Sequence, residues 1–363
     1  MINILKKLRK SKANEKLEKF FAKNRGIKIF VFVLIVFCLM LRQLRYDYID
    51  LDKVELGKQI YLTCPHNVKI ERIIDIVLAS DNNFAPHCAT TMCSALLNSD
   101  ATSYFRFHIL DGGITEENKS KIRQLKSLRP FDISFYEMKK YDWYQFPINW
   151  SWISHATYYR LVINEVLPKH IEKVLYLDCD LIIEQDLKNL WDIDISDVIL
   201  AGVEDNLSIS KANKLKIHGK YCNAGVLLLN LKRLRNIDLK MLGIKFLEEK
   251  DSDIYYQDQD IINGLLGNDC RYVPIKWNVL SDIYFSYSEE NFYDREDALN
   301  AIKSPAIIHF TGPHKPWSLR CFHPLQGEYQ KYFAYTTFKN PIFDWRTFRG
   351  FVRRIRMTLH GFR

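Results

Sequence analysis

Lys173-Val174-Leu175-Tyr176-Leu177-Asp178-Cys179-Asp180-Leu181-Ile182-Ile183 is an apolar run interrupted by two carboxylates. Val174 to Leu177 has the length and composition of a buried strand. Side chains at i and i+2 share a face, so Asp178 and Asp180 project the same way from its end. Like charges that close repel, and burying them is costly unless a cation lies between them. Oxygen-rich sites suit Mg²⁺ or Mn²⁺. The spacing alone says little, because Asp-x-Asp recurs at Asp50/Asp52, Asp192/Asp194, Asp251/Asp253 and Asp258/Asp260. The place of Asp178 and Asp180 at a strand end in mid-chain is what distinguishes them.

Working outward, apolar segments of two kinds alternate. Ile73–Ala79, Tyr104–Leu110, Asp132–Tyr136, Val198–Val203, Ala224–Leu229 and Ala306–Phe310 read as further strands. Pro86–Leu97, Ile114–Leu128, Thr157–Val166 and Ile261–Leu266 read as helices. This rhythm predicts an α/β fold with a mostly parallel central sheet and helices on both faces. Ligands of such sheets sit beyond the carboxyl ends of strands, where Asp81 and Asp178 fall. No Gly-x-Gly-x-x-Gly follows the first strand and no Gly-x4-Gly-Lys-Ser/Thr loop is present, which argues against a dinucleotide dehydrogenase or a P-loop phosphotransferase.

The chain of 363 residues carries a formal charge of +9, unevenly spread. Residues 1–28 hold ten Lys or Arg against two Asp or Glu, and residues 339–363 hold seven against one. The body between is mildly acidic, which argues against a nucleic-acid partner and for an anionic membrane surface. Three parts are expected: a basic extension over 1–70, a catalytic body over 71–320, and a basic aromatic tail over 321–363. Ile29–Leu41 is thirteen uncharged apolar residues, short of the ~20 that span a bilayer, and suits a segment lying in the interface. A single-pass span is the alternative, with Lys28, Arg42 and Arg45 snorkelling. In the tail, Trp345, Phe348, Val352, Ile355, Leu359 and Phe362 share one helical face beside Arg346, Arg349, Arg353 and Arg356, the pattern of an amphipathic interfacial helix. The eight cysteines are scattered without Cys-x-x-Cys spacing, as in a reducing compartment.

Near the end of the body stands His309-x-x-Gly312-x-x-Lys315-Pro316-Trp317. His309 offers a third metal ligand, Gly312 close backbone approach, and Lys315 a point charge for phosphate. Two further clusters are Asn223-Ala224-Gly225, entering an apolar strand, and Gln257-Asp258-Gln259-Asp260, opening an apolar helix. With Ala79-Ser80-Asp81, Tyr159-Arg160-Leu161 and Leu177-Asp178-Cys179-Asp180, these six motifs in this order resemble glycosyltransferase family 8 over about residues 73–320. Within that family the chain looks most like the bacterial lipooligosaccharide and lipopolysaccharide α-galactosyltransferases and glucosyltransferases.

The resemblance implies a GT-A type domain and a retaining transfer of galactose or glucose from a UDP-sugar to a glycan or glycolipid acceptor. It implies that Asp178, Asp180 and His309 hold Mn²⁺ (or Mg²⁺) on the diphosphate, with Gly312 and Lys315 completing the cradle. Ala79, Ser80, Asp81 and Asn83 would meet the uridine. Arg160, Asn223, Ala224, Gly225, Asp258 and Gln259 would surround the donor sugar, and Asp205 would face the acceptor near Trp150 and Trp152. Gln259, Asp258, Asp260, Lys315 and Arg160 are the candidate catalytic group. Because Gln259 is a poor nucleophile, same-face attack is favoured over a double displacement. UDP-sugars are cytoplasmic, which places the enzyme on the cytoplasmic face of a bacterial inner membrane. A phosphohydrolase of the haloacid-dehalogenase kind and a non-catalytic sugar- or nucleotide-binding module are the alternatives.

Overall fold

The computed structural model describes residues 68–150, 153–205, 208–215, 220–250, 254–285, 294–318, 321 and 323–338. The apolar segment 29–41, the tail beyond 338 and Trp152 lie outside the described residues. Among those described, no helix is long and apolar enough to cross a membrane.

Seven strands form the central sheet: β1 (Arg72–Ser80), β2 (Ser103–Asp111), β3 (Asp132–Glu137), β4 (Lys173–Leu177), β6 (Leu200–Glu204), β7 (Cys222–Asn230) and β8 (Cys270–Tyr272), in the order β3-β2-β1-β4-β7-β6-β8. β3, β2, β1 and β4 are parallel neighbours, while β7 runs antiparallel to both β4 and β6. The mostly parallel sheet is as the sequence rhythm predicts. The reversal of β7 matters because it brings the start of one strand beside the ends of the others. Leu177 pairs with Leu78 on one side and Val226 on the other. Asp81, Asp178 and Asn223-Ala224-Gly225 therefore meet at one edge of the sheet.

The quoted run 173–183 is two strands. After β4 the chain turns through Asp178-Cys179-Asp180 and enters β5 (Leu181–Ile183), which belongs to a second sheet of order β5-β10-β9. There β10 (Ile307–His309) lies antiparallel to β5 and parallel to β9 (Val279–Leu280), pairing His309 with Leu181 and Leu280. The aspartates thus occupy the hinge between two sheets.

Both faces of the central sheet are buried, so its strands read as continuous apolar runs. Alternate residues serve two cores. Ile74, Ile76, Leu78, Leu175 and Leu177 face helix α1 (Ala85–Leu97) and the second sheet. Val77, Val174, Tyr176 and Leu227 face helices α2 (Leu239–Lys250) and α3 (Asp258–Leu266). Fully burying each such side chain is worth about 1.5–3 kcal/mol. The expected helix 157–166 is a 3-10 helix over His155–Val162 followed by one α-turn. Helix α4 (Gln326–Phe333) buries Tyr329 and Tyr332 against the first core, and Tyr332 Oη meets Asn98 Nδ2 at 2.7 Å. The packed body therefore continues beyond residue 320.

Candidate functional site

At the edge where these strand ends converge lies a cleft of about 510 Å³. One end is built on ions. Asp178 and Asp180 enter from the hinge, and the backbone fixes both: Asp178 N–H donates to Gly225 O at 2.9 Å, and Phe310 N–H to Asp180 O at 3.0 Å. His309 Nε2 stands 3.9 Å from Asp178 Oδ2 and 3.3 Å from Asp180 Oδ1. Ligand atoms of all three lie within 4.8 Å of one another, the one such cluster found among the described residues. Two carboxylates and one imidazole fit a Mn²⁺ or Mg²⁺ ion. Lys315 Nζ donates to Asp180 Oδ2 and to Phe310 O. Burial favours protonating Asp180, but Lys315 and His309 outweigh it and hold the carboxyl well below the usual range.

Arg160 spans the cleft floor, 5% exposed. Its Nη2 meets Asp178 Oδ1 at 2.7 Å, its Nε meets Asp258 Oδ2 at 3.0 Å, and it lies over the Tyr176 ring. Burial alone would lower its pKa, yet Asp178 and Asp258 more than offset this and keep the guanidinium charged. Burial also pushes Asp258 up to about 6 against the pull of Arg160 and Thr157.

The other end is built on amides. Gln259 Oε1 accepts from Ala224 N–H and Asn223 Nδ2, both at 3.0 Å. Asp205 Oδ2 accepts from Gln259 Nε2 and Asn223 Nδ2 at 3.2 Å each, and its Oδ1 takes Lys211 Nζ at 2.7 Å. Gln257, which precedes α3, has φ +54° although it is not glycine. Such strain costs of order 1–3 kcal/mol and persists only where surrounding structure imposes it.

Glycine is required twice. A Cβ on Gly225 would stand 2.3 Å from His309 Cε1 and 2.9 Å from Asp178 Oδ2. Gly312 has φ +80° in the turn that carries Lys315.

Ala79, Trp150, Arg160, Asp178, Asp180, Asp205, Asn223, Ala224, Gly225, Asp258, Gln259, His309, Gly312 and Lys315 all line this cleft. Four expected residues do not. Ser80 is fully buried and donates to Asp81 O. Asp81 Oδ1 accepts Asn83 and Phe84 N–H at 2.9 and 3.0 Å, an Asx turn that launches α1; Asn83 is exposed in that turn. Asp260 is the clearest departure from the expected catalytic group. It is 2% exposed, and its oxygens accept from Tyr221 Oη and from Tyr255 and Tyr256 N–H. It pins the loop before α3 and turns no oxygen into the cleft.

Among the lining residues that the sequence did not single out are Tyr176, Lys211, Tyr255 and Asp282. Tyr176 Oη donates to Asp178 Oδ1 at 3.0 Å, which its i−2 position on the strand could have indicated. Tyr255 packs edge-on to Trp150 and Tyr256. Lys211 comes from the helix Ser208–Leu215 and Asp282 from the short helix Ser281–Phe285, neither of which the sequence analysis singled out.

The profile of glycosyl transferase family 8 matches residues 75–321. General stress protein A of Bacillus subtilis is 29% identical over 280 residues, 75% of this chain and 98% of that protein. The lipopolysaccharide 1,2-glucosyltransferase of Escherichia coli K12 is 24% identical over 269 residues, 73% of this chain and 78% of its own. Among solved structures, the galactosyltransferase LgtC, captured with donor and acceptor sugar analogues, superposes with a TM-score of 0.64. It is 30% identical, covering 75% of this chain and 99% of LgtC. The fold is accordingly GT-A-like, and the phosphohydrolase and binding-module alternatives give way. A sheet edge that gathers paired aspartates, a histidine, a lysine and an amide cluster in this order makes the chain a glycosyltransferase, and it belongs to glycosyl transferase family 8.

Proposed function

We propose that the chain moves a hexose, galactose or glucose, from its UDP conjugate to a lipopolysaccharide-core or related glycan acceptor, with retention of anomeric configuration. The observation that carries this reading is one cleft with an end that gathers two carboxylates and an imidazole and an amide-lined end, joined by Arg160. Of the relatives named above, one is a lipopolysaccharide 1,2-glucosyltransferase, and the galactosyltransferase LgtC was captured with donor and acceptor sugar analogues.

The residues divide the work. Asp178, Asp180 and His309 would hold a divalent ion, Mn²⁺ or Mg²⁺, which supplies neutralisation of charge on the departing diphosphate. Lys315 adds a second positive charge there, and Gly312 lets the backbone approach. Ala79, which lines the cleft at the β1 end, fits the uridine side, and the Asx turn of Asp81 and Asn83 shapes the chain beside it. Asn223, Ala224, Gln259 and Asp258 surround the sugar, and Arg160 acts by fixing Asp178 and Asp258 relative to each other. As the anomeric C–O bond to UDP breaks, the acceptor hydroxyl oxygen attacks from the same face. Its proton passes to the departing phosphate oxygen, and Gln259 Oε1 stabilises the cationic sugar. Asp260, held by three donors, serves the loop rather than the anomeric carbon. Asp205, Trp150 and the neighbouring Tyr255 and Tyr256 offer a polar and aromatic surface for the acceptor.

Incubation with UDP-galactose and with UDP-glucose, each with Mn²⁺, should release UDP and with a lipopolysaccharide-core acceptor give an α-linked product. No UDP from either donor would overturn the reading, and a β-linked product would overturn retention. We place the enzyme at the cytoplasmic membrane surface through its basic tail. Removing residues 339–363 should then weaken binding to anionic vesicles at low salt and leave UDP release intact; unchanged co-sedimentation at every salt concentration would remove the tail from that role. A protease-accessible catalytic body on the periplasmic side would overturn the cytoplasmic placement.

A further inference from the structure

Asn278 stands immediately before β9, fully buried, and none of the family motifs includes it. Its Oδ1 lies 2.8 Å from His309 Nδ1, and its Nδ2 donates to Asn223 Oδ1 at 2.9 Å. Which way each amide points is ordinarily an assignment. Here two backbone donors decide it. Ala224 N–H must meet an acceptor, which makes that end of Gln259 its oxygen. Gly225 N–H likewise makes the facing atom of Asn223 an oxygen, at 3.0 Å. Asn223 Oδ1 can only accept, so the Asn278 atom 2.9 Å from it is the amino nitrogen and the other end of Asn278 is a carbonyl oxygen. A carbonyl accepts only, so His309 Nδ1 carries a proton, and in the neutral ring it is Nε2 that holds the lone pair.

That lone pair faces Asp178 and Asp180. The ring also sits hard against Gly225, where a Cβ would stand 2.3 Å from its Cε1. We propose that Asn278 is a positioning residue: it locks His309 with Nε2 presented to the cation. By the same amide it ties this ligand to Asn223 and Gln259 at the sugar end. The inference rests on the metal-dependent reading of the site. It adds that the metal end and the sugar end share a single chain of directional hydrogen bonds, in which metal ligation and sugar orientation are set together.

The first test needs no variant. Nitrogen-15 NMR of the intact, metal-free protein at alkaline pH, with labelled histidine and His309 assigned by difference from His309→Gln, reads the tautomer directly. Protonated Nδ1 with unprotonated Nε2 supports the proposal; the reverse overturns it. The second test separates the two halves of the role. Asn278→Asp keeps an acceptor for His309 and loses the donor to Asn223. Asn278→Ala loses both. With folding checked by circular dichroism, Mn²⁺ affinity measured by electron paramagnetic resonance should fall about 10- to 100-fold in Asn278→Ala. In Asn278→Asp it should hold or tighten, while kcat for UDP-sugar cleavage falls about tenfold with KM little moved. An Asn278→Ala protein that binds Mn²⁺ as tightly as the unaltered chain overturns the proposal. So does an Asn278→Asp protein that loses affinity equally. If either variant fails to fold, the tautomer alone decides. Failure of UDP release from every donor would sink the transferase reading and leave the tautomer and Mn²⁺ results standing, so the two failures are distinguishable.

Discussion

The two ends of the cleft solve the same problem, burying polar groups at a sheet edge, by different physics. At one end Asp178 and Asp180 balance the full charges of Arg160 and Lys315 within a few ångströms, beside the His309 ring. At the other, Asn223, Gln259 and Asn278 align dipoles, and Asp205 closes the chain with Lys211. Charge is strong and weakly directional; an amide is weaker and says which atom must face which. On the proposed reading, the ionic end would therefore grip a diphosphate through changing charge, while the amide end would hold the sugar in one orientation. Removing one of the paired carboxylate charges should cost most, displacing His309 less, and removing the Lys315 ammonium less again.

The largest effect is expected from Asp178→Asn or Asp180→Asn. Each removes a full charge where leaving-group charge develops, and kcat should fall at least about 1000-fold. Retention of more than about a tenth of kcat, under ~1.4 kcal/mol of barrier, would refute the ionic end as the catalytic one.

Gly225→Ala lies where the two ends touch. The new Cβ must push His309 or the β7 backbone aside, because 2.3 Å to Cε1 is impossible. Since an ångström of misplacement costs on the order of 100-fold, kcat should fall by about that much. A crystal structure of the variant with His309 unmoved and activity intact would show that the ends are independent. Lys315→Ala should lower kcat about tenfold with a smaller change in nucleotide affinity, because its charge matters most as the phosphate departs. A raised KM with unchanged kcat would make Lys315 a ground-state binding residue instead.

The contrast also explains what could be read from the sequence. The ionic end was legible because its residues stand beside apolar strands: Asp178 after Leu177, and His309 closing a run that begins at Ala306. The parallel sheet was legible from the alternation of segments. The direction of β7 was not, since a strand buried on both faces reads the same either way. Nor was β5, whose three residues continue the apolar run of β4 across the hinge. Asp260 looked like its neighbours Asp258 and Gln259, but one residue of helix turns a side chain by about 100°, and Asp260 faces Tyr221 and the loop instead. Asn278 left no trace, because a lone asparagine carries no period and its side-chain partners come from two separate strands, β7 and β10.

Acid should act on the two ends in opposite senses, and this is the smallest effect expected. Behind the ionic end, His87 stacks on Trp317 at 3.5 Å and bonds Tyr329 Oη, and His323 packs against Phe310 and Tyr284. Burial lowers both pKa values to about 3, from 6.5. The stability these neutral rings provide is complete above their unfolded pKa and is lost as pH falls toward 3. Asp258 has the opposite sign: its pKa is raised to about 6 from 3.8. Its contribution is complete below 3.8 and is lost as pH rises through 6. Between pH 6 and 4 the unfolded chain therefore binds two protons that these histidines refuse, while folded Asp258 binds one that the unfolded chain gives up. Each is worth a slope of about 1.4 kcal/mol per pH unit. Carboxylates with lowered pKa values, Asp75, Asp100 and Asp180, act below this window. Denaturant unfolding of the metal-free protein across pH 6 to 4 should show stability falling with a slope near that of one proton for these three groups. Asp258→Asn should steepen the slope by about one proton, and His87→Phe, which keeps a stacked ring, should flatten it by about one. Equal slopes in all three proteins would mean that neither end titrates as its burial dictates, and the contrast between them would hold for hydrogen-bond direction but not for charge.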